Sequence, residues 1–179
     1  MNTDQLLIKS LKDKKQRDAA FKILLNTYQQ RLYWHVRKLV LIHDDANDVL
    51  QNTFIKIHKN IATFKGNSTL HTWMYRIAYN EAINFLKAKQ KRLLLNSDDL
   101  STKILNELKE DPYFDGNDIQ FKLQEALLKL PKKQRQVFIM KYYDDLKFKE
   151  ISEIIGTSEG ALKASYHLAV KKIERFLTN

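Results

Sequence analysis

Apolar side chains along this chain recur at helical spacing and almost nowhere at the alternate-residue spacing of a strand. From Leu70 they fall at Leu70, Trp73, Met74, Ile77, Ala78, Ala82 and Phe85, one buried stripe of a long helix. Upstream, Phe21, Leu24, Leu25, Tyr28, Leu32, Val36 and Leu39 predict a helix from about Lys15 to Leu41, and Asp4 is placed to cap a shorter one through Leu11. The break at His43-Asp44-Asp45 opens another helix with Val49, Leu50, Phe54, Ile57, His58 and Ile61 inward. Helical order returns near Ile119 with Phe121, Leu123, Leu127, Leu128 and Leu130, and Pro131 suits the first turn of a helix running to about Tyr143. A short helix from Phe148, a turn at Gly156-Thr157-Ser158 and a last helix to about Leu177, with Ala161, Leu162, Ser165, Tyr166 and Ala169 inside, complete the series. Only Leu93 to Asn117 breaks the rhythm, with scattered leucines and acidic clusters, and reads as a tether. The expectation is an all-α protein of two small helical domains, residues 1–92 and 118–179, joined by a flexible acidic linker at 93–117.

Composition supports helices: four glycines and two prolines in 179 residues leave too little punctuation for a strand-and-turn fold. The absence of cysteine removes disulfides and thiolate metal sites, and no stretch has the length of a membrane span or the form of a signal peptide. A reducing cytoplasm is the expected location. Net charge is +10, unevenly placed: residues 1–92 carry +10, 93–117 carry −4 and 118–179 carry +4. Two basic blocks flanking an acidic link suggest a polyanionic partner, although Lys-rich surfaces also serve solubility alone.

Candidate chemistry concentrates in three places. Ahead of the Leu70 helix, Lys65, Gly66, Asn67, Ser68 and Thr69 form a small polar loop able to hydrogen-bond an unstacked base. The helix's outer face is expected to show His71, Arg76, Tyr79, Asn80, Ile83 and Lys87, and its end is basic through Lys87, Lys89, Lys91 and Arg92. A capped amphipathic helix with a solvated face would look the same. Second, Asp48, Gln51, Asn52, Lys56 and Lys59 lie on the polar face of the preceding helix, a surface suited to a partner rich in arginine or simply to water. Third, the Gly156 turn gives helix-turn-helix spacing, with Ser158, Glu159, Gly160, Lys163, His167 and Lys171 presented outward for duplex DNA. The five histidines lack metal-ligand spacing, and no phosphate loop or nucleophile arrangement is present, so neither an enzyme nor a cofactor or metal site is expected.

Taken together, these segments resemble an extracytoplasmic-function (ECF) sigma factor of the bacterial sigma-70 family over nearly the whole chain. Asp45 to Phe54 resembles the family's core-polymerase-binding helix. Phe64 to Lys87, with Trp73-Met74-Tyr75-Arg76-Ile77-Ala78 and Asn80, resembles its segment that melts and reads the minus-ten promoter element. Leu130-Pro131, Arg135, Val137 and Glu150-Ile151 through Gly156 resemble its minus-thirty-five-binding domain.

The resemblance implies a non-enzymatic factor that binds core RNA polymerase and directs it to promoters. Asp48, Gln51, Asn52 and Phe54 match positions that dock on the polymerase's largest subunit, and Leu130 to Tyr143 the part that packs on the flap of the second-largest. Lys65, Asn67, Ser68 and Thr69 match a flipped-base pocket. With Arg76, Tyr79, Asn80, Lys87 and Lys91 they would form the minus-ten surface. The acidic link matches a linker passing near the active-site channel, and a cognate anti-sigma factor is an implied partner. The chain departs from the family pattern at Asn47 and Asn52, where glutamates are usual. It departs again at Asn84 and Lys87, in place of aspartate and arginine, and at Ser165, Leu168 and Val170, where the last helix normally carries arginines. A stand-alone helix-turn-helix regulator and a helical adaptor binding only proteins stay open as alternatives.

Overall fold

The computed structural model describes residues 3–178, and all the regular structure within them is helical. The helices are α1 (Thr3–Lys12), α2 (Arg17–Val40), α3 (His43–Asn60), α4 (Leu70–Arg92), α5 (Ser97–Glu110), α6 (Asp118–Lys129), α7 (Lys132–Tyr142), α8 (Phe148–Ile155) and α9 (Glu159–Thr178), with a short 3-10 turn at Ile61–Thr63. Local chemistry sets most boundaries. The Thr69 hydroxyl accepts from the Thr72 amide to start α4, and Asn96 and Asn117 do the same for α5 and α6. Gly156 closes α8 at φ +76°, the left-handed conformation that glycine adopts without a Cβ penalty. Asp4, read as a cap, sits inside the first turn of α1, where its carboxylate still complements the helix dipole.

Helices α1 to α4 form a bundle around Leu24, Leu32, Val36, Ile57, Met74 and Ala78, all fully or almost fully buried. In the C-terminal part, Ala126, Leu127, Phe138, Ala169 and Ile173 make a smaller core between α6, α7 and α9. These two parts are not held apart. Val137, Ile139 and Met140 of α7, Leu146, and Ile151 and Ile154 of α8 belong to the same buried cluster as α2 and α4.

The segment expected to be a flexible tether is corrected by α5, which occupies 14 of its residues. Leu100, Ile104 and Leu108 recur every fourth residue and are buried; the first two pack with Leu41 of the bundle and Leu128 of α6. At about 1.5–3 kcal/mol for each fully buried aliphatic side chain, that stripe is enough to hold the segment down despite its acidity.

Candidate nucleic-acid and protein interfaces

The polar face of α3 is arranged as its spacing implies. Asp48, Gln51 and Asn52 are exposed, while Val49, Leu50, Thr53 and Ile57 are buried beneath them. Phe54 differs from these three: it is 8% exposed and packs edge-on against Phe21, ring centroids 6.4 Å apart. Its remaining exposed edge lines the apolar depression between α2 and α3. Between α2 and α3, Phe21, Leu25, Gln51, Ile55 and His58 line a shallow apolar depression that continues this face. His58 packs against the Phe21 ring at 4.9 Å.

The 65–69 loop leaves Lys65 and Asn67 exposed and is turned by Gly66 at φ +76°. The Thr69 hydroxyl is already engaged, 3.1 Å from the Thr72 amide and 2.9 Å from the Thr72 hydroxyl, and Ser68 donates to the Thr69 carbonyl at 3.3 Å. The loop is anchored from behind by Lys12, which donates to the Phe64 carbonyl at 2.6 Å. On α4, Arg76, Asn80, Lys87 and Lys91 are exposed and form one open polar face.

Tyr79 does not join that face, and this corrects the expectation. It is 9% exposed, and its hydroxyl donates to Gln136 Oε1 of α7 at 2.9 Å. Burial pushes the phenol above its ordinary pKa. Tyr75 is also buried, with its phenol shifted upward mainly by desolvation, and its ring lies between His35 at 4.6 Å and His71 at 4.2 Å. Trp73, expected in the core, is only partly buried and leans on Phe64. Lys89 of the basic helix end is 7% exposed, 2.7 Å from Asp45 and 2.8 Å from Glu107. Burial alone would lower its pKa, but the two hydrogen-bonded carboxylates outweigh that and raise it.

In the C-terminal part, Ser158, Glu159, Gly160, Lys163, His167 and Lys171 are all exposed along α8–α9. Leu162, Ala169 and Ile173 bury the opposite stripe. The Ser158 hydroxyl meets the Ala161 amide at 3.4 Å, a long cap contact. Tyr166 is held between the rings of Phe138 and Phe148, which fixes the angle of α9 against α7 and α8.

Two pairs that the sequence did not single out tie the bundle to later segments, one to the α7–α8 connection and one to the end of α5. His35 is completely buried on α2, and its Nδ1 lies 2.6 Å from Asp144 Oδ2 in the α7–α8 connection. His35 Nε2 has no partner among the described residues. Arg37 Nη2 meets Asp111 Oδ2 at 3.0 Å, and the same oxygen accepts from the His43 amide at 2.9 Å. Burial alone would raise the Asp111 pKa, yet the His43 and Tyr113 amides and the Arg37 guanidinium hold it below the ordinary carboxylate range. A lone histidine and a lone arginine among leucines carry no pattern that reveals partners about seventy to a hundred residues away.

Comparison with known proteins agrees with this architecture. Residues 24–92 match Sigma-70 region 2 and residues 120–173 match Sigma-70, region 4. The chain is 31% identical over 168 residues to the RNA polymerase sigma factor SigV of Bacillus subtilis (strain 168), covering 94% of this chain and 97% of that one. It is 29% identical over 174 residues to the ECF RNA polymerase sigma factor SigW of the same organism, covering 92% of each. To the ECF RNA polymerase sigma-E factor of Haemophilus influenzae it is 28% identical, covering 96% of this chain and 94% of that one. A solved structure of CnrH in complex with the cytosolic domain of CnrY shares the fold at a TM-score of 0.71 and 18% identity, over 99% of this chain and 98% of that one. Sigma factor RpoE from Bartonella quintana, solved with the anti-sigma factor NepR, shares it at 0.68 and 20%, over 88% and 96%. With both sigma-70 regions in order on a fully helical frame, the chain belongs to the ECF group of the sigma-70 family of RNA polymerase sigma factors.

Proposed function

We propose that this sigma factor docks on core RNA polymerase through Asp48, Gln51 and Asn52 of α3, reads and opens the minus-ten element with the 65–69 loop and α4, and reads the minus-thirty-five element with α9. Residues 1–92 and 118–179 act as the two promoter-reading domains, with 93–117 between them. The observation that carries this reading is the exposure of three separate polar faces, on α3, α4 and α9, each backed by a buried apolar stripe. Arg76, Asn80, Lys87 and Lys91 supply hydrogen bonds and phosphate contacts along a strand, and the exposed Lys65 and Asn67 beside α4 would hold an extruded base.

With α7 and α8 packed on α2 and α4, the chain is in a closed arrangement. The buried face of α7 is a surface that the polymerase flap would need, and Tyr79 holds α7 to α4 through Gln136, so docking on polymerase would separate α7–α8 from α2–α4. An anti-sigma factor acting on the same two domains is a natural partner, in keeping with the CnrY and NepR complexes of the structural relatives. The test is permanganate footprinting of promoter DNA by holoenzyme carrying Asn80→Ala, or alanine at Asn67 and Ser68. Both variants should retain DNA binding and lose strand opening. Wild-type opening by both would mean that the loop and α4 are scaffold.

A further inference from the structure

Where the C-terminal half of α4 faces α5 and the α6–α7 corner, the chain leaves a cleft of about 390 Å³, within the range of small-molecule sites. Its apolar walls come from both domains and from the segment between them: Ile83 and Leu86 of α4, Leu100 and Ile104 of α5, Leu128 and Leu130 at the end of α6. The lining contains no aromatic ring, which suits a flexible aliphatic body better than a flat one. Four cations line it, Lys87, Lys129, Lys132 and Arg135, against a single carboxylate, Asp98. Lys129 is occupied by Glu125 at 2.9 Å and lies over the Phe176 ring at 4.4 Å. Arg135 is different. It is partly buried, has no ion-pair or hydrogen-bond partner for its side chain among the described residues, and burial draws its pKa below the ordinary value. With no counter-charge paired to it, the guanidinium is available to an anion entering the cleft, and its planar fork matches a carboxylate.

We propose that this cleft binds a medium-chain aliphatic carboxylate, its head on Arg135 and its chain between α4, α5 and the end of α6. Because the walls belong to both domains, the ligand binds the closed arrangement alone and stabilises it by mass action. The effect on transcription rests on the sigma-factor reading, whereas binding itself does not, so the two fail separately.

Isothermal titration of the full chain with decanoate below its micellar range is the direct test. Saturable one-to-one binding is expected, weaker by about tenfold or more for Arg135→Gln and for uncharged decanol, since each removes the charge-assisted contact. Ser101→Phe, which places a ring in the cleft, should abolish it. Ser101 only back-bonds to the Ser97 carbonyl, so this variant keeps α5 helical and stands independently of any folding defect in Arg135→Gln. No saturable binding to the unaltered chain, equal affinity for decanol, or undiminished binding by folded Ser101→Phe would overturn the proposal.

Discussion

Replacing Asp144 with alanine should release the C-terminal domain from the bundle. In the closed chain the carboxylate is, among the described residues, the one hydrogen-bond partner of a histidine with 0% exposure, and its own side chain is 7% exposed. Asp144→Ala leaves both ring nitrogens of His35 buried without partners. Losing a charge-assisted hydrogen bond while keeping the desolvated group costs the closed state about 2–3 kcal/mol, and the open state nothing once His35 is wet. The closed-to-open ratio then falls roughly 30- to 150-fold, at about 1.4 kcal/mol per tenfold. Tyr79→Phe removes one hydroxyl from Gln136 and should shift the same ratio by about 1 kcal/mol, roughly fivefold. The chain has no cysteine, so cysteines placed at exposed Lys22 and Lys172 give two unique labelling sites for single-molecule energy transfer. Asp144→Ala should broaden the distance distribution toward long separations and speed association with core polymerase, with helix content unchanged by circular dichroism. An unaltered distance distribution in a folded variant would refute the latch.

Further outcomes follow from the same geometry. Asp48→Arg reverses an exposed charge on α3 above an untouched apolar stripe, so it should abolish co-elution with core polymerase while changing stability by less than about 0.5 kcal/mol in thermal melts. Lys163→Ala and Lys171→Ala should each lower the slope of log affinity against log salt by about one for promoter DNA, provided each contacts one phosphate, as fluorescence anisotropy across a salt series would record. Glu107 and Asp111 are held below their ordinary values of 4.5 and 3.8: burial opposes this, but the hydrogen bonds from Lys89 and Lys103 to Glu107, and those to Asp111, prevail. Their contribution to holding α5 is therefore complete above those ordinary values and is lost as pH falls from them through the lower folded values. Amide-exchange protection should drop in α5 on acidification before it drops in α2 and α4.

Helical periodicity carried most of the fold. The apolar stripes at Leu24, Leu32, Val36 and at Val49, Leu50, Ile57 are buried where the spacing put them, because a stripe that cannot face water has one way to turn. A tyrosine at position 79 satisfies the helix pattern whether exposed or covered; only Gln136, 57 residues later, decides that it is covered. The α5 helix is legible in the sequence: Asn96 ahead of Asp98 and Asp99, then Leu100, Ile104 and Leu108 at four-residue spacing, is a cap followed by a stripe, set in a segment whose acidity resembles a solvated tether. Of the candidate site, the exposed polar positions were readable from the sequence, including Asp48, Gln51, Asn80 and the α9 series. The pairs that tie later segments to the bundle, His35 with Asp144 and Arg37 with Asp111, were not, since each depends on tertiary approach between single residues without a motif.

Run-off transcription with core polymerase addresses the central claim most directly. Core polymerase alone should give no specific product from a promoter selected by this chain. Addition of the chain should give a discrete run-off transcript, lost with Asp48→Arg and greatly reduced with Asn80→Ala, while Asp144→Ala supports synthesis at lower protein concentration. Binding of duplex DNA by the chain that is indifferent to polymerase, with no transcript under any of these conditions, would contradict the account and leave a free-standing helix-turn-helix protein in its place.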